Sequence, residues 1–395
     1  MPLTFHWFLP TQGDGRGVVG GGHGADVVSF AAWRTREPSV EYLSQIALAA
    51  ERLGFEGALT PTGAWCEDAW LTTAMLVGAT RRLKFLVAFR PGLLSPTLAA
   101  QMASTYQRLS EGRLLLNVVT GGESAEQRQH GDFLDKDARY RRTDEFLRVV
   151  DGLWRGETVD FAGEHVRVEG AALQRTPVPR PPVYFGGSSP AALEVAASRV
   201  DTYLTWGEPP AAVADKIARV RSLAAERGRS LEYGIRLHVI SRDTEEEAWA
   251  QARRLIEDLS PETIAEVQRS LRRSESEGQR RMLDLHGGST ADLEIHPNLW
   301  AGVGLARGGA GTALVGSHEQ VARLIEEFHE AGVTEFVLSG YPHLEEAYWF
   351  GEGVLPLLAE RGLWSHPDGP VTSSVTSVPF TSPAPAATDT AVAPS

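Results

Sequence analysis

Arg236 and His238 sit two residues apart in the run Tyr233 to Ile240. The alternating character of that run fits a strand, so both side chains share one face. Two cationic groups inside a folded core need an anion or a charged cofactor to offset them. A histidine there also titrates close to working pH, as a proton donor or base must. The turn Gly186-Gly187-Ser188-Ser189 precedes a helical pattern. Free N–H groups, a helix dipole and two hydroxyls suit a phosphate, although many strand–helix turns look alike. Arg307 opens a Gly-rich run to Thr312 that reads as an anion loop or a hinge and lacks the Gly-Lys-Ser/Thr of a nucleotide P-loop. Trp206, Tyr341 and His343 follow strand-like runs, and each also has a plain packing role open to it. Cys66, the single cysteine, belongs to a residue type that is more often a small buried group than a reactive thiol. His238, His343, Glu67 and Asp68 could converge on a metal, as in a metal-dependent barrel hydrolase. No His-x-His follows the first strand and no dense His/carboxylate cluster occurs, so no metal is expected.

Positioning these residues requires the elements around them. Eight short apolar runs alternate with amphipathic helices: Thr4 to Leu9, Gly57 to Thr60, Leu83 to Phe89, Leu114 to Thr120, Val183 to Gly186, Thr202 to Thr205, Tyr233 to Ile240 and Glu335 to Ser339. The third and fourth are near-continuously apolar, as strands covered on both faces are. Ser39 and Gly54 bracket a helix carrying Leu43, Ile46, Ala47, Ala50 and Leu53, and Ser317 with Gln320 forms a capping box before the last strand. The pattern predicts an α/β fold, a closed TIM (β/α)8 barrel with long insertions after strands one and seven, Gln12 to Pro38 and Asp243 to Gly316. Residues 1–365 are expected to form this one domain, with 243–316 as insertion and lid, and the Pro/Ser/Thr/Ala-rich stretch 366–395 a disordered tail. In such a barrel, chemistry gathers where strands end and helices begin. Cys66, Asn117, Gly187, Ser188, Ser189, Trp206, Tyr341 and His343 all fall on those ends, as do Arg236 and His238 on strand seven.

Bulk properties narrow the class. A formal net charge of −13 opposes a nucleic-acid groove or an anionic membrane surface, while leaving room for a local basic pocket. One cysteine excludes an internal disulfide and fits a reducing compartment. No signal-like start and no bilayer-length apolar run are present, so a cytoplasmic protein is expected.

The segments FHWFLPTQGDG, PTGAWCEDAW, RLKFLVAFRPG, GRLLLNVVTGGE, PPVYFGGSSP, DTYLTWGEPP, YGIRLHVI, PNLWAGVGLARGGAGTALVG and FVLSGYPHLEEAY run from Phe5 to Tyr348. They resemble the bacterial-luciferase-like flavin-dependent monooxygenases, and within them the alkanesulfonate monooxygenases. The resemblance implies reduced FMN delivered by a separate NAD(P)H-dependent FMN reductase, O2 as co-substrate, and cleavage of an alkanesulfonate C–S bond to aldehyde and sulfite. It implies an FMN phosphate near Gly187, Ser188 and Ser189, with Tyr140 and Asn117 also on the cofactor. Arg236 and Arg307 would face sulfonate or peroxide oxygens, His238 would move a proton, Trp206 and Tyr341 would wall the substrate, and His343 would orient Tyr341 or His238. Cys66 corresponds to the family's active-site cysteine, as a neutral group. The stretch Trp300 to Gly311 would close over the site, and the protein would be a homo-oligomer, dimer or tetramer.

Three departures touch the pocket entrance. The Gln12 to Pro38 loop is long, with Arg34 or Arg36 in place of the family's arginine. Ala64-Trp65 stands where Arg-Ser is usual, and Gly287 to Thr290 lacks basic residues. They leave a sulfone or another small organic molecule as the alternative substrate, and a non-catalytic flavin-binding barrel as a further one.

Overall fold

The computed structural model describes residues 2–18 and 35–369. Arg34, the middle of the long first loop and the tail beyond residue 369 lie outside the described residues.

The chain opens with β1 (Thr4–Phe8), then a two-residue pairing of β2 (Asp14–Gly15) with β3 (Thr35–Arg36). Helix α1 (Val40–Leu53) starts at Ser39, whose side chain accepts the Tyr42 N–H, and stops at Gly54, which takes the left-handed φ of 89° that a glycine tolerates. Next come β4 (Gly57–Thr60), α2 (Ala69–Leu76), β5 (Lys84–Phe89), α3 (Pro96–Leu109) and β6 (Leu114–Val118). Beyond them lie α4 (Ser124–Gln129), α5 (Lys136–Trp154) and a hairpin of β7 (Val159–Ala162) with β8 (Arg167–Ala171) that periodicity did not predict. β9 (Val183–Gly186), α6 (Pro190–Arg199), β10 (Thr202–Trp206), α7 (Pro210–Ala225) and β11 (Glu232–Arg242) complete the regular repeat.

The long stretch after β11 is folded rather than loop-like. It holds α8 (Glu245–Ile256), α9 (Pro261–Leu271), α10 (Glu277–His286), β12 (Glu294–His296), β13 (Leu299–Trp300), α11 (Val303–Ala306) and β14 (Ala313–Ser317). α12 (His318–Glu330), β15 (Glu335–Ser339) and α13 (His343–Glu360) follow, and the Ser317/Gln320 capping box forms at the start of α12.

β1, β4, β5, β6, β9, β10, β11 and β15 pair in parallel and close on themselves, because β10 meets β11 and β15 meets β1. This is the eight-stranded TIM barrel that the sequence predicts, built from the same eight runs. β11 is longer than its neighbours. Thr202–Trp206 of β10 lies along Glu232–Arg236, and β14 then takes over the same edge from His238 to Arg242. Phe8, Leu59, Leu86, Leu115, Tyr184, Leu204 and Val337 fill the barrel's interior layer. The larger apolar layer lies between strands and helices, where α1, α3, α5, α6, α7, α12 and α13 bury their inner faces. Glu335 closes the floor, accepting from Tyr184 at 2.9 Å and Thr202 at 3.2 Å and contacting His6 at 3.0 Å.

Candidate active site

A cavity of about 1550 Å³, measured to its open mouth, occupies the C-terminal end of the barrel. Its floor is Phe8, Leu59, Leu204 and Val337. The ends of β6, β9, β10 and β11 form its sides, and α10 with the Arg307–Ala310 turn covers it.

The deepest polar groups are two guanidiniums. Arg236 lies 4.8 Å and Arg307 5.7 Å from the centre of the Phe8 ring. Arg236 donates to the Leu237 and Val337 carbonyls and, at 2.8 Å, to Ser339 Oγ, all neutral acceptors. Burial, and then Arg307 beside it, pulls the Arg236 guanidinium down to about 9. Ser339 Oγ also meets His238 Nδ1 at 2.8 Å, while His238 Nε2 meets the Ala310 carbonyl at 3.1 Å. A carbonyl only accepts, so Nε2 carries the proton and Nδ1 accepts from the Ser339 hydroxyl. Burial, with Arg236 and Arg307 adding to it, pushes His238 well below the ordinary histidine range. The ring is therefore neutral and tied at both nitrogens.

Arg307 donates to Tyr341 Oη at 2.6 Å, and the Tyr341 ring stacks on His238 with centroids 5.5 Å apart. Behind it, His343 Nδ1 meets Asp14 Oδ1 at 2.9 Å, and the His343 backbone N–H donates to Asp14 Oδ2 at 2.8 Å. Tyr42 donates to the same carboxylate, and Arg36 joins Tyr42 to Glu345. Burial alone would raise Asp14; His343, then the Tyr42 and Gly15 hydrogen bonds, outweigh it and hold the carboxyl below its ordinary value.

The opposite end of the cavity is a cradle. Ser189 caps α6 by accepting the Ala192 N–H at 3.3 Å, and Pro190 occupies the first helical turn. Tyr203 ties down the Gly187 carbonyl at 2.7 Å. A Cβ at Gly187 would lie 2.6 Å from Ala192 Cβ and 3.4 Å from Tyr140 Oη, so only glycine lets the turn approach both. At the mouth, buried Glu208 joins Lys216 of α7 to Arg281 of α10. Lys136 of α5 donates to the Glu275 carbonyl at 2.7 Å, and Gln279 accepts the Gly309 N–H at 2.8 Å.

The sequence profile of the luciferase-like monooxygenases matches residues 3–335. The chain belongs to the luciferase-like monooxygenase family. Solved structures share this fold over most of their length. A riboflavin lyase with modified FMN and riboflavin superposes with a TM-score of 0.77 at 20% identity, covering 93% of each chain. A long-chain alkane monooxygenase gives 0.73 at 19%, covering 92% of each. An EDTA monooxygenase from Chelativorans sp. BNC1 gives 0.73 at 19%, covering 93% of this chain and 95% of that one.

Of the residues that sequence singled out, Asn117, Tyr140, Gly187, Ser188, Ser189, Trp206, Arg236 and Arg307 line the cavity of this family member. His238, Tyr341 and His343 do not; they stand one layer behind the two arginines. Cys66 also lies off the cavity wall, and burial pushes its thiol up to about 11, so it is neutral. Arg36 is spent on Glu345 and Tyr42 and does not reach the cavity. Lys136, Lys216, Arg281 and Gln279 line the mouth and were not anticipated. Lys136 precedes the expected Tyr140 by one helical turn, a spacing that places both on one face of α5. Among the described residues no group of three metal-ligating side chains occurs, and no helix is long and apolar enough to cross a membrane.

Proposed function

We propose that this chain is the oxygenating half of a two-component monooxygenase that takes reduced FMN from a separate reductase and oxygenates a small sulfonate. The products would be an aldehyde and sulfite, with the second oxygen atom leaving as water. The observation that carries this reading is the buried Arg236–Arg307 pair. Two cations on the aromatic floor, one of them held only by neutral acceptors, favour a fixed anion between them.

The residues present fit the cofactor. The Gly187–Ser189 turn at the start of α6 would hold a phosphate, and Tyr140 and Lys136 stand on the helix face beside it. Reduced FMN, when bound, would supply the two electrons that O2 activation needs. Arg236 and Arg307 would hold the sulfonate oxygens and stabilise negative charge as the C–S bond breaks. Ser339 orients Arg236 and Tyr341 orients Arg307. His238 is neutral and bonded to the Ala310 carbonyl, so its role is to tether the Arg307–Ala310 turn over the cavity rather than to exchange protons with solvent. That turn and α10 cover part of the cavity and would limit the access of water.

A second reading, a sulfone or bulkier organosulfur substrate, is favoured by one observation: Trp65 lines the cavity. Sulfite release decides between them. With FMN, NADH, a flavin reductase and air, a panel of short to medium alkanesulfonates yields sulfite only when enzyme, reduced flavin and O2 are all present. Flavin binding with no sulfite from any sulfonate, and turnover of a sulfone, would replace the first reading with the second.

A further inference from the structure

The loop after β4 contributes Trp65 to the cavity wall, and the proposed chemistry gives that side chain no task. The loop is pinned to its surroundings. Glu126 of α4 accepts the Ala64 N–H at 2.8 Å with one carboxylate oxygen and the Arg90 guanidinium at 2.8 Å with the other. Arg90 also donates to the Thr62 carbonyl at 3.5 Å, and the Arg90–Glu126 pair is largely buried. The Glu67 N–H donates to the Thr11 carbonyl at 3.1 Å. Gly63 sets the ring. A Cβ there would lie 2.2 Å from Trp65 Nε1, so the indole folds back over a residue that leaves room for it. The Trp65 N–H is buried and has no hydrogen-bond partner. A buried indole ordinarily finds one, so Trp65 serves this position through its ring rather than its polar tip.

Charge divides the cavity. Lys136, Lys216, Arg236, Arg281 and Arg307 line it from α5, α7, β11, α10 and the turn after α11. Among the described residues, none that β4, β5, β6 or the turns after them add to the lining is charged, and Leu59, Pro61, Ala88 and Val118 stand on that side with Trp65. β4 lies opposite β10, four strands away either way round the ring, so Trp65 and Trp206 belong to opposite walls. We propose that Trp65 is the specificity-determining residue of this site, selecting a substrate whose body is a flat aromatic ring over one whose body is a linear chain. The assignment rests on the proposed sulfonate reading for the head group and goes beyond it for the body. An anion on Arg236 and Arg307 leaves the rest of the molecule to the uncharged wall. There a ring offers the Trp65 indole a face or an edge, while a flexible chain must give up rotamers to lie flat. The carbon next to sulfur is a CH2, because the aldehyde product keeps that carbon with one of its hydrogens. The substrate class is therefore an arylalkanesulfonate, its ring and sulfur joined through at least one methylene.

Titration calorimetry on the full chain, with reduced FMN under nitrogen so that nothing turns over, tests it. The ligands are 2-phenylethanesulfonate and octane-1-sulfonate, which have the same carbon count. The wild type should bind the aryl ligand up to about tenfold more tightly, the upper worth of an aromatic pair beyond the area it buries. Trp65→Ala should bring that ratio to one or below, and Trp65→Phe should keep it above one, with circular dichroism close to wild type in both. Should Trp65→Ala fail to fold, Gly63→Ala decides by the same fall in ratio, because it keeps the indole and displaces it. A wild-type ratio at or below one, or a ratio that loss or displacement of the indole leaves unchanged, overturns the assignment. The methyl sulfones of the same two bodies separate this outcome from the head-group reading. A Trp65-dependent ratio among the sulfones, with neither sulfonate bound, strikes the sulfonate and keeps Trp65 as the selector of the ring.

Discussion

Replacing Arg236 with methionine should stabilise the protein while destroying its activity. Burial and Arg307 pull the guanidinium down to about 9, and an arginine ordinarily stays above 12. At about 1.4 kcal/mol per pH unit, the charged group costs the fold roughly 4–5 kcal/mol. Arg236→Met removes that cost. It also forfeits the contact over Phe8, worth about 1–2 kcal/mol when desolvated, and the hydrogen bonds to Ser339 and two carbonyls. A net gain of about 1–3 kcal/mol remains, in line with apolar replacements of other buried charges. For a chain this long the Tm would rise by roughly 1–4 °C. The sign with pH follows. The folded protein releases this proton near pH 9 and the unfolded chain keeps it to higher pH. Wild-type stability therefore rises with pH above about 9, and the variant lacks that increment. Loss of the fixed charge should lower kcat/KM by about 10²–10³. Scanning calorimetry with and without a short alkanesulfonate is the assay. The sulfonate should raise the wild-type Tm and leave that of Arg236→Met unmoved. A variant whose Tm falls by several degrees would show that Arg236 is internally compensated, and the anion-receptor reasoning would fail.

Other consequences are open to simpler measurements. Turnover should fall as pH climbs through about 9 with loss of the Arg236 proton, and His238 should contribute no limb near pH 6.5; an acid limb in kcat/KM that vanishes in His238→Asn would contradict this. Gly187→Ala forces a Cβ to 2.6 Å from Ala192, and fluorescence titration should show at least about tenfold weaker FMN binding, about 1.4 kcal/mol. Cys66→Ala should keep kcat/KM within about threefold, and at pH 8 native Cys66, with its thiol near 11, should be alkylated roughly a hundredfold more slowly than a free thiol.

The barrel was legible because its strands are short apolar runs whose helices announce their ends: Ser39, Gly54, Ser189 and Ser317 all act as the caps their residue types suggest. The insertion after β11 was not. β14 is a parallel strand without a helix before it in the usual rhythm, and α9 and α10 are amphipathic segments that pack on each other and on α11 rather than on the barrel's regular helix layer. The site divides the same way. Residues at strand ends, such as Arg236 and Trp206, follow from the barrel's geometry. Arg281 reaches the mouth from α10, whose Gly278 lies close against the Trp206 ring, a contact no local pattern encodes. The neutrality of His238 depends on which groups surround it, and burial is a property of the folded chain.

The shared edge of β11 has a consequence for how this protein can diverge. β10 uses the first half of that edge to close the barrel, and β14 uses the second half to anchor everything between Glu245 and Ser317. Barrel closure and pocket cover are thus two separate attachments to one strand. The cover is a cassette with fixed endpoints, free to change length and sequence without reopening the ring of strands. Exchanging that cassette between relatives is a route to new substrates that leaves untouched the turn at the start of α6 that we propose holds the flavin phosphate.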